Sequence, residues 1–367
     1  MISKVIYYTT HPLELSYLFQ MKKEFSHFRP SDERLTVISQ STADREFCYE
    51  ALKKVSRSFA VVIQQLPEEL QDPVCLFYLI LRGLDTVEDD MSIDQKEKEQ
   101  MLLSFAERIN NEAFTLSNVG DTEDYRDLML HFDKVIRQFD LLEPQYKEVI
   151  TEITHEMAVG MNKYAHKDVG SYADWDDYCY YVAGLVGIGL SKLFVASNLE
   201  TSEKLKTDSL SNEMGLFLQK TNIIRDFAED LDQERIFWPE EAWKEKAKNL
   251  KELQADSTKG LAALNEVIIN ALQHVPACLE YLECLENNEV FRFCAIPQLM
   301  AIATLEELYN NEKVLHSNVK IRKGKTARYF MSLKGLNQTK KEFVSILRNL
   351  EKQDPSGQIK EILSKLN

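Results

Sequence analysis

Two short acidic segments constrain this chain more than any other feature of its sequence. The first covers residues 85–90 and the second covers residues 226–230. Each places carboxylates at i, i+3 and i+4, the spacing of neighbours on one helix face, and each follows an apolar run. Carboxylates clustered against an apolar interior repel one another and are costly to remove from water. A divalent cation would relieve that cost, and ligand sets made only of oxygen suit Mg²⁺.

These two motifs predict a magnesium site that holds a diphosphate through the bound ions. The predicted metal ligands are Asp85, Glu88, Asp89, Asp226, Glu229 and Asp230. We expect the two motifs to face each other. The first motif ends its predicted helix, where the helix dipole is already negative, which favours a metal site over a structural role. For the second motif the alternative is a solvated polar stripe. Gln219 and Asn222 lie on the same helix face and argue against this alternative.

The sparse helix breakers predict an all-α protein. The chain of 367 residues has only 12 glycines and 9 prolines, and its apolar residues recur at helical spacing over long stretches. We find no sustained strand pattern, internal repeat or interdomain linker. The sequence therefore predicts a single helical domain at residues 41–335. An N-terminal arm, residues 1–40, packs on this core, and a helical tail covers residues 336–367.

Local signals set the expected helix boundaries around the motifs. The Asp72-Pro73 pair predicts a helix that starts at Val74 and carries the first motif at its end. The second motif is expected near the end of one continuous helix over residues 209–231. A long apolar helix is expected over residues 171–198, between the two motif helices.

Charge and cysteine usage exclude several classes of protein. The net charge is −15, which disfavours nucleic-acid binding but allows an anionic substrate if metal ions bridge the two. The six cysteines are scattered without a C-x-x-C pair, so neither a zinc site nor a disulfide framework is indicated, and a reducing compartment is expected. No signal peptide is evident. No run reaches the roughly 18 apolar residues of a membrane span, residues 180–190 being the longest candidate.

Two arginines near the first motif are candidates for diphosphate binding. Arg82 shares a helix face with Tyr78, Asp85 and Asp89, and its guanidinium could bind phosphate oxygens through two hydrogen bonds. The alternative is an ion pair within the helix, and the two roles are compatible. Arg57, beside Ser58, either binds a diphosphate or lies at the surface.

The glycine-rich segment at residues 178–189 has two interpretations. Its glycines, at 184, 187 and 189, are in the wrong order for a dinucleotide-binding turn and follow no strand. Close helix packing, or a flexed helix beside a pocket, fits better. Tyr178 and the tyrosines after it are either core residues or a lining that stabilises a carbocation, with a hydroxyl group as base.

Taken together, these segments resemble the squalene synthase family, the farnesyl-diphosphate farnesyltransferases among the head-to-head isoprenyl diphosphate synthases. The resemblance covers about residues 40–330 and is carried by residues 55–59, 77–82, 85–90, 178–190, 215–226, 237–239 and 320–324. It implies an all-α isoprenoid-synthase bundle around one central cavity. It also implies two reactions: two farnesyl diphosphates condense to presqualene diphosphate, and NADPH then reduces this intermediate to squalene for sterol and triterpene biosynthesis.

The resemblance also assigns roles residue by residue. The motif carboxylates would bind Mg²⁺, with Mn²⁺ as a substitute. Tyr178 would be the base or cation stabiliser of the first reaction. The other implied catalytic residues are Arg57, Ser58 and Arg82 for diphosphate departure, Phe59, and Phe293 in the pocket of the second reaction. The implied cofactor-binding residues are Lys320, Arg322 and Lys323, which meet the NADPH phosphates, with Asn222 and Arg225.

The family further implies a monomer at the cytosolic face of the endoplasmic reticulum membrane. Family members usually continue into a C-terminal membrane helix, and we find no candidate for one up to Asn367. Two alternatives stay open. A phytoene-type or dehydrosqualene-type synthase would share both motifs but lack NADPH reduction, and the basic residues 320–328 argue against it. A non-catalytic helical protein would bind diphosphate without turnover.

Overall fold

The computed structural model describes Glu14, residues 16–18, 20–21 and 40–366, apart from the side chains of Arg57 and Ser58. The predicted N-terminal arm at residues 1–40 therefore lies mostly outside the described residues. The described part is α-helical and contains no strand, which confirms the predicted all-α class.

Helices follow one another along the described chain, joined by short connections. They are α1 (Gln40–Val55), α2 (Arg57–Ile63), α3 (Glu68–Asp89), α4 (Gln95–Arg108), α5 (Glu123–Leu130), α6 (Phe132–Asp140), α7 (Pro144–Tyr164), α8 (Tyr172–Cys179), α9 (Leu185–Ala196), α10 (Asp208–Arg225), α11 (Phe227–Asp232), α12 (Glu240–Trp243), α13 (Leu250–Ala255), α14 (Ser257–Leu272), α15 (Val275–Glu283), α16 (Asn288–Leu308), α17 (Lys323–Ser332), α18 (Leu336–Glu351) and α19 (Gln358–Ser364). A π-helical turn, Tyr180–Gly184, joins α8 to α9, and short 3₁₀ helices cover Glu203–Lys206 and Glu312–Leu315.

Backbone contacts group these helices into two compact units that are discontinuous in sequence. The N-unit contains the described residues of 29–167 together with 184–208, and the C-unit contains those of 1–28, 168–183 and 209–367. The first acidic motif belongs to the N-unit and the second to the C-unit. The predicted division at residues 40 and 335 stays a prediction.

In the N-unit, α3 is packed by α1, α4, α7 and α9, and its apolar positions from Leu70 to Val87 are buried. The helix begins at Glu68 and contains Pro73, so the predicted start at Val74 is wrong. Pro67 precedes the helix with φ −49° and ψ 146°, an extended conformation that lets the next residues enter the first turn. Pro73 therefore lies inside the helix, where its ring removes one backbone hydrogen bond.

Gly189 on α9 brings that helix close to α3 and α7. A Cβ atom placed at this glycine would lie 2.5 Å from Cζ of Phe77 and 3.0 Å from Cγ1 of Ile153. Real Cβ atoms do not approach other atoms so closely, so a side chain here would push the helices apart. The close-packing interpretation of the glycine-rich segment is therefore confirmed at Gly189.

The predicted helix over residues 171–198 is present but contains the π-helical turn. A π-turn is a local widening of an α-helix and is frequent at functional sites. The stretch Tyr172–Ala196, with mean hydropathy 1.6 in its most apolar window, is long and apolar enough to cross a membrane. The expectation that no stretch passes this test is therefore wrong. Buried core helices pass it too, and 44% of that window is buried, so the finding alone assigns no membrane location.

The C-unit contains a buried lysine that joins three of its helices. Lys220 on α10 donates a hydrogen bond to Oδ1 of Asn270 on α14 at 2.6 Å and forms an ion pair with Asp176 on α8. Its ammonium group also lies 4.8 Å from the centre of the Trp175 ring. These contacts satisfy a charge that would otherwise be costly to bury.

A glycine of α14 sets the approach of the 3₁₀ helix Glu312–Leu315. A Cβ atom on Gly260 would overlap Cδ1 of Leu315 and lie 2.5 Å from the carbonyl oxygen of Leu253. Within the described residues the six cysteines are free thiols.

Candidate active site

The first acidic motif surrounds a partly buried arginine at the end of α3. Nη1 of Arg82 lies 3.3 Å from Oδ2 of Asp85, and Nη2 donates to the hydroxyl oxygen of Tyr78 at 3.3 Å. The guanidinium carbon lies 5.7 Å from the ring centres of both Tyr78 and Tyr125. The ion pair expected as the alternative role of Arg82 is present, but its buried Nε has no acceptor within the described part of the chain. That N–H group remains suited to a phosphate oxygen.

Burial makes Asp85 a poor anion in the absence of a cation. Loss of hydration raises the pKa of Asp85 to about 6, the charge of Arg82 opposes this increase, and the nearby charge of Asp89 adds to it. A carboxyl group with a raised pKa binds a proton or a metal ion more readily than an ordinary aspartate does. This is the electrostatic environment expected of a metal-binding carboxylate.

Two residues outside the predicted set stabilise the acidic end of α3. Nζ of Lys98 donates to the carbonyl oxygen of Glu88 at 2.6 Å, which places a cation at the negative end of the helix dipole. Asp90 accepts hydrogen bonds from the backbone of Gly120 at 2.8 Å and of Ser92 at 2.9 Å. Burial would raise the pKa of Asp90, but a hydrogen bond from the Ser92 hydroxyl group at 2.6 Å and these two backbone bonds lower it. Asp90 is therefore a structural cap.

Helix α2 places its first residues near the aromatic residues of this motif. Ser56 precedes the helix, and its hydroxyl oxygen accepts a hydrogen bond from the backbone N–H of Phe59 at 3.4 Å, which separates α2 from α1. The Phe59 ring lies 5.7 Å from that of Tyr78. The side chains of Arg57 and Ser58 lie outside the described residues, so their predicted roles stay predictions.

The second motif begins at a break between two helices. Asp226, with φ −93° and ψ 8°, separates α10 from α11, so the predicted continuous helix over residues 209–231 is wrong at this residue. Its N–H still donates to the carbonyl oxygen of Asn222 at 2.9 Å, and the direction of the chain is kept. The break moves the carboxylate out of regular helical register.

Donors from two directions engage the Asp226 carboxylate. Arg225 donates from Nε to Oδ1 at 2.9 Å and from Nη2 to Oδ2 at 2.6 Å. Nδ2 of Asn318 donates to Oδ1 of Asp226 at 2.8 Å and to Oε2 of Glu229 at 3.1 Å. Asn222, assigned to cofactor binding, is exposed one turn earlier on α10. Asp226 and Glu229 are thus brought together, with Asn318 between them.

A chain of contacts through Arg235 and Phe237 connects Asp230 to the predicted catalytic residue Tyr178. Burial raises the pKa of Asp230 to about 6, Arg235 opposes the increase, and Asp226 and Glu229 add to it. Nη2 of Arg235 lies 3.1 Å from Oδ1 of Asp230. The guanidinium lies 5.7 Å from the Phe237 ring, which stacks on the ring of buried Tyr178 at 5.3 Å and 19°.

The predicted cofactor segment, residues 320–323, is held by ion pairs of Arg322 within it and of Lys325 just after it. Lys320 and Lys323 are exposed. Arg322 lies 3.4 Å from carboxylate oxygens of Glu14 and of Glu307, so its guanidinium is engaged within the C-unit. After the segment, Lys325 pairs with Glu306 at 2.9 Å.

Phe293 lies buried in the second turn of α16. An apolar residue at this place suits the lining predicted for it, but a core position would look the same.

Sequence reasoning missed Asn318, Arg235 and Lys98 as partners of the motifs. Asn318 is 92 residues from Asp226, so no helical spacing could connect them, although its position just before the basic segment was a signal. Arg235 follows the end of α11, where helical periodicity no longer places a side chain. Lys98 acts on a backbone carbonyl, which sequence patterns do not reveal.

The motif residues fit Mg²⁺ in the chemistry of their donors. All six carboxylates are hard oxygen ligands, and two of them have raised pKa values that a cation would relieve. Among the residues described, no three His, Cys, Asp or Glu side chains converge enough to hold an ion by themselves. Mg²⁺ in phosphate chemistry usually takes one or two carboxylates together with water and substrate oxygens. The predicted pairing of the two motifs on one diphosphate stays a prediction.

Comparisons with known proteins agree on one family. The Squalene/phytoene synthase family profile matches residues 52–325, about three quarters of the chain. A squalene synthase of Nicotiana benthamiana is 50% identical over 77% of this chain and 69% of its own length. Squalene synthase ERG9 of Candida albicans is 41% identical over 95% of this chain and 80% of its own length.

A solved structure extends the agreement to the fold. TcSQS in complex with a ligand matches with a TM-score of 0.85 and 41% identity, over 88% of this chain and 97% of that one. Both acidic motifs and all of the predicted site residues fall within the segment that the family profile matches. The chain therefore belongs to the Squalene/phytoene synthase family, among the squalene synthases.

Proposed function

We propose that this chain joins two farnesyl diphosphates head to head into presqualene diphosphate and then converts that intermediate into squalene with NADPH. Squalene synthase function follows from the family and from the relatives that match most of the chain. What is proposed in addition is the dependence on Mg²⁺ and NADPH and the work of individual residues. The observation that supports this proposal best is the pair of oxygen-only motifs with buried, high-pKa carboxylates.

In the first reaction the residues of each motif would bind and orient a diphosphate. Bound Mg²⁺, held by the six motif carboxylates, would neutralise the charge of the departing diphosphate. Arg82 would add a hydrogen bond through its buried Nε, and Arg57 and Ser58 are proposed to act with it. These donors act without first reorganising water, since Arg82 is already fixed by Asp85 and by two aromatic rings.

Tyr178 would act on the carbon skeleton. Its ring is fixed by stacking on Phe237, so the ring face or the hydroxyl group is presented in one orientation. An electron-rich ring face stabilises a carbocation, and the hydroxyl oxygen could accept a proton. Phe59 and Phe293 would complete apolar walls that exclude water from such a cation.

In the second reaction NADPH would supply a hydride. Lys320, Arg322 and Lys323 would bind its phosphates, with Asn222 and Arg225 on the side of the second motif. Arg322 would have to exchange Glu14 and Glu307 for phosphate oxygens, and those ion pairs at 3.4 Å are long enough to give way.

The first test is product analysis with labelled farnesyl diphosphate. With Mg²⁺ alone we expect presqualene diphosphate, and with Mg²⁺ and NADPH we expect squalene. Identical products with and without NADPH would instead indicate a dehydrosqualene-type or phytoene-type activity. Binding without any product would indicate a non-catalytic protein.

A matched pair of variants tests the metal assignment. Asp226→Asn should abolish the first reaction, whereas Asp232→Asn should keep it, because Asp232 is an exposed carboxylate at the other end of α11. Helix content by circular dichroism should be the same in both. Equal activity of the two variants would contradict the assignment of the second motif.

A second pair tests the cofactor assignment. Lys320→Ala with Arg322→Ala should accumulate presqualene diphosphate in the presence of NADPH. Lys340→Ala with Arg348→Ala, which removes the same charges from α18, should make squalene normally. Unchanged NADPH dependence in the first double variant would refute the assignment.

We also propose that the protein works as a monomer at the cytosolic face of the endoplasmic reticulum membrane, as the family resemblance implies. Microsomal fractionation of the full-length natural protein and light scattering of the purified chain test the two statements. Recovery outside the microsomes, or a dimeric mass, would contradict them.

A further inference from the structure

Asn318 connects two parts of the C-unit that the proposed function treats separately. Its amide nitrogen bridges the carboxylates of Asp226 and Glu229, and it lies two residues before Lys320. The chain from residue 318 to 322 has no regular secondary structure. One side chain therefore holds the start of the basic segment, residues 320–323, against the second acidic motif.

The contact uses the oxygens that a metal ion would need. An amide NH₂ group is only a donor and carries partial positive charge, so it cannot share a carboxylate oxygen with a cation at the same position. Arg225 donates to the same carboxylate of Asp226. Metal binding at Asp226 and Glu229 therefore competes with these donors for lone pairs of the two carboxylates.

The amide oxygen of Asn318 lowers the free-energy cost of this displacement. Oδ1 of Asn318 is buried and has no hydrogen-bond donor within the described part of the chain. A buried acceptor without a donor is unfavourable, and it offsets part of what the two bonds of Nδ2 contribute. Leaving the motif would return this oxygen to water.

We propose that Asn318 couples Mg²⁺ binding at the second motif to the position of the basic segment, an inference that rests on the proposed metal role of Asp226 and Glu229. Metal binding takes the carboxylate oxygens from the amide, and the start of the segment is released. The far end stays held by Lys325 with Glu306. The lysines of the segment thus become free to reach a phosphate ligand only after the metal has arrived.

Limited trypsin digestion reports the start of the segment directly, because cleavage after Lys320 requires this part of the chain to leave the surface. We expect slow cleavage there in metal-free buffer. With Mg²⁺ at a concentration that saturates binding by calorimetry, cleavage should be about tenfold faster, the size expected for losing a hydrogen bond to a charged acceptor. Cleavage after Lys352, which is exposed just after the end of α18, serves as the reference.

The proposal predicts a different response of cleavage to Mg²⁺ for each of two variants at Asn318. Asn318→Ala should be cleaved fast after Lys320 with and without Mg²⁺, because the start of the segment is no longer held, whereas Arg322 and Lys325 still hold its far end. Asn318→Asp should invert the response: three carboxylates repel one another without metal, giving fast cleavage, and share the ion when it binds, giving slow cleavage. Ser317→Ala is the control, since its hydroxyl group only donates to the carbonyl oxygen of Lys313 at 3.3 Å, and it should behave like the unchanged protein.

The outcomes separate this inference from the proposed function. No Mg²⁺ binding by calorimetry would overturn both. Mg²⁺ binding with unchanged cleavage in the natural sequence would overturn the coupling and leave the metal site standing. Cleavage of Asn318→Ala at the rate of the natural sequence in metal-free buffer, or an Asn318→Asp variant that does not invert the response, would also overturn the coupling.

Discussion

The ion pair between Lys220 and Asp176 predicts an asymmetric response to mutation. The Lys220 side chain is 1% exposed, whereas that of Asp176 is 48% exposed. Removing the lysine leaves a carboxylate that is buried at Oδ1 but half exposed as a group, so water can hydrate part of it. Removing the carboxylate leaves a buried ammonium group that water cannot reach. The two variants break the same pair but should differ in stability.

The structure gives the expected sizes. For Asp176→Asn, breaking a buried pair and leaving the charge buried costs about 3–5 kcal/mol. The lower end applies because Asn270 at 2.6 Å and the Trp175 ring at 4.8 Å remain as partners. For Lys220→Met, the lost hydrogen bonds are offset by removal of the desolvation cost of the charge, so we expect about 1 kcal/mol or less.

Urea unfolding followed by tryptophan fluorescence measures both changes, because Trp175 lies against Lys220. The free energy of unfolding should fall by roughly 2 kcal/mol more for Asp176→Asn than for Lys220→Met. Asp232→Asn, which removes an exposed carboxylate, is the control and should leave the midpoint unchanged. A Lys220→Met variant that is as unstable as Asp176→Asn would refute the reasoning.

Three further predictions follow from the N-unit and from Tyr178. The pKa of Asp85 is raised from 3.8 to about 6, so between pH 4 and 6 the native state binds more protons than the unfolded state. The free energy of unfolding of the metal-free protein should therefore fall by up to about 3 kcal/mol as pH rises from 4 to 6. Asp85→Asn should flatten this part of the stability curve in thermal melts. Gly189→Ala should cost about 1–3 kcal/mol through overlap with Phe77, seen as a lower urea midpoint, and an unchanged midpoint would contradict the close packing. Phe237→Leu should reduce presqualene diphosphate formation about fivefold at unchanged KM, because the lost ring stack is worth about 1 kcal/mol; a change in KM alone would argue against its positioning of Tyr178.

The helical fold was predictable because periodic apolar residues and few breakers leave little choice of secondary structure. The boundaries at Pro73 and Asp226 were not, because both depend on local geometry that periodicity does not contain. A proline can lie inside a helix that starts earlier, at Glu68. A single residue with φ −93° can end α10 although the apolar pattern continues past it.

The site was predictable where its contacts are local. The spacing of Arg82 and Asp85 implied their ion pair, and it is present. Contacts between distant segments were not predictable from spacing, and these include the bridge from Asn318 to Asp226 and the stack of Tyr178 on Phe237. The raised pKa values of Asp85 and Asp230 also required the fold, since they arise from burial that only tertiary packing creates.

Gly260 shows how far such packing extends. It lies on α14, away from both acidic motifs in the sequence, yet the missing side chain admits Leu315, three residues before Asn318. An added methyl group would shift the 3₁₀ helix and with it the anchor point from which Asn318 reaches Asp226. Substitutions at this buried glycine, which lies outside the proposed site, should therefore change when the cofactor is bound. Inspection of the catalytic residues alone would not foresee such an effect.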